Sequence, residues 1–99
     1  MLLDKIKKIV DTYGYEAQKN QCIEECAELI QALNKLSRAN GLGQSTKKTK
    51  EECLTNIAEE IADVQITLYE LMYSLHISGI NEIIERKLDR TLGEMINDE

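Results

Sequence analysis

The stretch "IAEEIADVQITLYELMYSL", residues 57–75, decides the fold. At 100° per residue, with Ile57 at 0°, Ile61, Val64, Leu68, Leu71 and Leu75 fall on one apolar stripe near about 0°. Ala58, Ala62, Ile66, Tyr69 and Tyr73 make a second apolar face from about 100° to about 180°. A helix with two apolar faces is covered on two sides. Between the faces lies a polar wedge, with Asp63 near about 240° and Glu60 near about 300°; Glu59, near about 200°, sits beside the second face. A 99-residue chain buries one modest core. The second face therefore predicts contact with another subunit.

Outward from this stretch, the helix boundaries are written in short signals. Thr49 followed by Glu52 is a capping-box pair, so the third helix begins there and runs to about Leu75. Ser78 and Gly79 break the chain, and a fourth helix is predicted from about Ile80 to Ile96. Upstream, "NGLGQSTKK", residues 40–48, reads as a polar, basic loop, with Asn40 and Gly41 expected in left-handed conformations. A second helix is predicted from about Glu16 to Ala39. A first covers residues 2–12, where Leu2, Leu3, Ile6, Ile9 and Val10 keep helical spacing up to Gly14. The prediction is an all-α single domain, residues 1–99: a four-to-five-helix bundle completed by homo-oligomerisation.

Composition supports this. Charged residues make up 30 % of the chain, aromatic residues 4 %, and proline is absent, which favours helices over a sandwich or barrel. A formal net charge of −6 argues against a nucleic-acid polymer as partner. Cys22, Cys26 and Cys53 form no CxxC pair, and His76 is the single histidine, so structural zinc is not expected. Free thiols suit a reducing cytoplasm, and neither a signal peptide nor a membrane-spanning run is predicted.

The acidic residues are the chemical signal. "IEECAELI", residues 23–30, places Glu24, Glu25 and Glu28 within about 100° of one another, opposite the apolar arc of its helix. Glu25 and Glu28 are an i,i+3 pair, as are Glu60 and Asp63. Antiparallel packing of the two helices lets these pairs face each other. Four such carboxylates repel unless a cation joins them, and an all-oxygen set selects Mg²⁺ or Mn²⁺. A di-iron bundle asks for Glu-x-x-His pairs, which His76 is not spaced to supply. The other reading of the same residues is solvated helix faces, and spacing does not separate the two. On the fourth helix, Lys87 lies between Ile83 and Ile84, with Arg90 one turn on. Two cations there suit a phosphate chain held through a metal, or a salt bridge to the acidic cluster itself.

"EECAE" followed by "EIAD" resembles the EExxE…ExxD signature of the all-α nucleoside triphosphate pyrophosphatases, the MazG-like group. Gln18 and "RKLDRTL" near the end add to the resemblance, which covers about residues 15–92. It implies a Mg²⁺-dependent hydrolase that cuts a nucleoside triphosphate or deoxynucleoside triphosphate to the monophosphate and pyrophosphate, in nucleotide-pool house-cleaning, as a homodimer or homotetramer. By motif position it implies Glu25, Glu28, Glu60 and Asp63 as metal ligands. Glu24 would hold a second metal or orient the attacking water; Glu24 or Glu25 would accept its proton. Lys87 and Arg90 would face the phosphates. Two features depart from the family pattern. "NGLGQSTKKTK" lengthens the gap between Glu28 and Glu60, as a flap over the substrate or a longer turn. Asp89 and Thr91 stand where the family often has an asparagine after the lysine. The competing functions are a non-enzymatic helical interaction protein and a relative acting on phosphoribosyl-ATP.

Overall fold

The computed structural model describes residues 1–41 and 47–97. Four helices follow one another: α1 (Leu2–Tyr13), α2 (Tyr15–Ala39), α3 (Lys50–Ser74) and α4 (Ile80–Asn97). Among the described residues there is no strand. The bundle is thus all-α, as predicted. No helix is long and apolar enough to cross a membrane among the described residues.

The predicted boundaries hold to within a residue or two, because each has a local cause. Gly14 separates α1 from α2 with φ 85° and ψ 168°, a conformation open essentially only to glycine. Its N–H closes α1 on the Val10 carbonyl at 2.7 Å, and its own carbonyl accepts from Gln18 at 3.3 Å to open α2. Thr49 caps α3 as a full capping box: its hydroxyl accepts from the Glu52 N–H at 3.1 Å, and the Glu52 carboxylate accepts from the Thr49 N–H at 3.4 Å. At the end of α2, only Gly41 takes the left-handed conformation, with φ 86°. Asn40 continues close to helical geometry at φ −87°, ψ 7°, contrary to expectation. Its N–H still finds the Leu36 and Ser37 carbonyls, so no left-handed step is needed before Gly41. The remainder of the 40–48 loop that was expected to form a flap or turn, residues 42–46, lies outside the described residues.

The end of α3 holds a feature the sequence did not suggest. His76 adopts φ 55°. The Ile77 N–H reaches back to the Met72 carbonyl at 2.9 Å, and the His76 N–H to Tyr73 at 3.3 Å. This is the Schellman pattern, with histidine where glycine is usual. Gly79, at φ 78°, completes the change of direction into α4.

The connection from α2 to α3 is ten residues, which reaches at most about 36 Å. Each 25-residue helix is about 37 Å long. The pair therefore closes as an antiparallel hairpin, and it forms the main contact of the chain, with α1 laid across both helices. The buried residues are small or polar to an unusual degree: Ile6 and Val10 from α1, Gln18, Cys22 and Ala32 from α2, Cys53, Thr67 and Glu70 from α3. On the angular scale above, Cys53, Glu60, Thr67 and Leu71 centre the inward side of α3 near about 300°. The acidic wedge thus faces α2. The stripe near 0° lies to one side, with Ile61, Leu68 and Leu75 exposed. Tyr73, assigned to the second face, is engaged by α1: its hydroxyl donates to Asp11 at 2.9 Å, and Lys7 Nζ lies 5.9 Å from the ring centre.

α4 packs on no other helix and buries none of its residues. The radius of gyration, 17.4 Å, is well above the roughly 13 Å of a compact chain of this length.

Candidate metal centre

The α2–α3 seam brings Glu25, Glu60 and Asp63 together. One carboxylate oxygen from each lies within 4.8 Å of the others. The i,i+3 spacing on α3 turns Glu60 and Asp63 to the same side, and the hairpin register sets Glu25 opposite them. Glu25 is oriented from one turn before it, where Gln21 Nε2 donates to Glu25 Oε1 at 2.8 Å. The i,i+4 spacing of glutamine and glutamate was visible in the sequence but was assigned no role.

The remaining oxygens are short of partners. Glu25 Oε2 and Glu60 Oε2 are shielded from solvent with no hydrogen-bond donor. Glu28 lies next to this group. The Glu25 charge raises the proton affinity of Glu28 above the ordinary carboxylate range, with burial and then Glu60 adding to it. Burial raises Glu60, and the Glu25 and Asp63 charges add to that. These shifts have the sign of mutual repulsion in a partly dry place. Glu24 is exposed beside the seam, close enough that its charge adds slightly to the shift of Glu28. Glu59 is also exposed, on the outer side of α3.

The cations do not join this group within one chain. Lys87 and Arg90 sit on α4, which does not pack against α2 or α3. Arg90 Nε instead donates to Glu94 at 3.1 Å, on the surface of its own helix. A hollow of about 730 Å³ lies elsewhere, between the second half of α3 and the start of α4. Leu68, Tyr69, Met72, Ile80 and Ile84 line it, so it is chiefly apolar.

The three thiols are free. Cys26 holds its proton more tightly than an ordinary thiol, first through desolvation and then through Cys22 one turn away, so it is no activated nucleophile.

Glu70 escaped the sequence reading. It is only 4 % exposed, its Oε2 has no partner, and burial raises its proton affinity. The available signal was its place at about 220°, in the same polar wedge as Asp63.

The donor set fits a hard divalent cation. It is all oxygen, carries several negative charges, and contains two shielded oxygens that nothing else satisfies. Comparison of the chain with protein-family profiles, with curated proteins and with solved structures finds no match. The MazG-like resemblance therefore rests on the residues quoted above.

Proposed function

We propose that the chain is a Mg²⁺-dependent nucleoside triphosphate pyrophosphohydrolase that releases pyrophosphate from a nucleotide. One observation carries the reading: the helix hairpin turns its acidic wedge inward, so that Glu25, Glu60 and Asp63 converge with two oxygens unpartnered. Solvated helix faces would point the other way. Glu25, Glu60 and Asp63 hold the cation, with Glu28 at the edge of the set. When bound, a divalent cation supplies charge neutralisation at phosphate oxygens and acidifies water. Glu24, exposed at the rim, accepts a proton from the attacking water. Lys87 and Arg90 bind the phosphate chain through charge-assisted hydrogen bonds.

Self-association belongs to the same reading. Large apolar side chains stand in the open on α2, with Ile23 63 % and Ile30 60 % exposed. A second copy that covers these stripes completes the core.

Two measurements test the reading. Calorimetric titration with Mg²⁺ should show binding that Asp63→Asn abolishes. Pyrophosphate release across a panel of ribo- and deoxyribonucleoside triphosphates, with phosphoribosyl-ATP included, should identify a substrate. No Mg²⁺ binding, or no release from any member, overturns it.

A further inference from the structure

Cys22 and Cys26 lie one turn apart on α2, and both are free thiols. Cys22 is buried and Cys26 exposed. The two side chains interact, since both hydrogen bonding and charge from Cys22 bear on the Cys26 proton. With Ile23 at 0°, Cys22 falls near about 260° and Cys26 near about 300°. They form a row beside the one that carries Gln21 and Glu25, at about 160° and about 200°.

Helix geometry decides what such a pair can become. Residues four apart on a helix hold their Cβ atoms about 5–6 Å apart. A disulfide needs about 3.5–4.5 Å, so α2 would have to unwind to close one. A cation between the sulfurs meets no such obstacle. Two thiolate bonds of about 2.3 Å, laid end to end, set the sulfurs about 4.6 Å apart. No third thiol joins the pair. Cys53 sits on α3 roughly 10 Å of helix before Glu60, and the antiparallel hairpin that sets Glu25 against Glu60 carries Cys53 away from Cys22. His76, the single histidine, lies past the end of α3. Zinc takes four ligands and is poorly served by two thiolates. A soft ion that accepts two is Cu(I).

We infer that Cys22 and Cys26 form a two-thiolate site for a soft monovalent cation, Cu(I), on the flank of α2 beside the acidic cluster. Two neutral thiols and Cu⁺ give a bis-thiolate complex of charge −1 and two released protons, and no electron is transferred. The exposed Cys26 is the point of entry, and the buried Cys22 draws the ion out of water. The acidic cluster does not compete, because hard carboxylate oxygens suit Mg²⁺ and thiolates suit Cu(I). The site stands whether or not the chain hydrolyses nucleotides.

The test is an anaerobic titration of the reduced full chain against bicinchoninate, a coloured Cu(I) chelator. The wild type should withdraw a single Cu(I) per chain, and Cys53→Ala should match it. Cys22→Ala and Cys26→Ala should each bind about a hundredfold more weakly or worse, because the second thiolate no longer binds within the same molecule. Cys26 is exposed, so Cys26→Ala keeps the fold, which circular dichroism checks, and the test does not hang on the buried Cys22. X-ray absorption at the copper edge should find two sulfur neighbours in line. No withdrawal by the wild type, loss of binding in Cys53→Ala, unchanged affinity in Cys26→Ala, or copper with three sulfur or with oxygen neighbours each overturns the inference.

Discussion

Glu25 and Glu60 come from opposite arms of the helix hairpin, and each turns an Oε2 atom into the seam, where neither solvent nor a donor reaches it. Burial first, and then the Glu25 charge, raises the cost of ionising Glu60. Unpartnered carboxylate oxygens held this close repel one another, and a bound cation would relieve that repulsion.

Mg²⁺ should therefore raise the melting temperature more than Na⁺ does at matched ionic strength. The gain follows RT ln(1 + [L]/Kd), about 2.7 kcal/mol at a hundredfold excess over Kd. Glu60→Gln should melt higher than wild type without metal and respond less to it. Equal responses to Mg²⁺ and Na⁺ in the wild type would sink the metal-cage reading.

The pH dependence has a definite sign. Glu28 is raised by Glu25 first, and Glu60 and Glu70 by burial first. Each binds its proton more tightly folded than unfolded. Their destabilising effect is full above the raised values and is removed as pH falls through them toward the unfolded value of about 4.3. Without divalent metal, the melting temperature should rise between pH 7 and pH 5. Glu70→Gln should flatten part of that rise by stabilising the chain at pH 7. Thermal melts across this window check both; a wild-type curve that falls steadily toward pH 5 contradicts the assignment.

Asp63→Asn keeps the shape of the seam and removes one charge from the cage. Pyrophosphate release should drop by about a hundredfold or more, with circular dichroism unchanged. Turnover near that of the wild type in saturating Mg²⁺ would exclude Asp63 as a ligand.

Gly14→Ala tests the joint between α1 and α2. Nothing lies within 4 Å of an added methyl, so the cost is backbone strain alone. At φ 85° and ψ 168° it should be about 1–3 kcal/mol, read from denaturant unfolding.

His76→Gly tests the turn into α4. A histidine at φ 55° carries roughly 1–2 kcal/mol of left-handed strain, part of which glycine returns as unfolded-state entropy. The variant should gain on the order of 0.5–1 kcal/mol. A loss of stability would show that the imidazole has a packing role.

The sequence by itself determined the four helices, their caps and the i,i+3 pairing of the carboxylates. These depend on hydrogen bonds and side-chain neighbours within one or two turns, such as Thr49 with Glu52. It also marked Glu25, Glu60 and Asp63, because helical periodicity fixes which residues of one helix share a side. Only the tertiary structure decided which side of α3 faces α2. Two apolar faces and one acidic wedge competed for that place, and the choice depends on which neighbour is present. The hairpin takes the small and acidic residues inward, bringing Glu25 to Glu60. The larger residues Ile61 and Leu68 are left outside. The position of α4 was decided in the same way. Its periodicity makes it a helix, but the left-handed step at His76 carries Lys87 and Arg90 away from the carboxylates of their own chain. No spacing rule reports that step, because histidine at a positive φ is held by the Met72 and Tyr73 carbonyls rather than by its own preference.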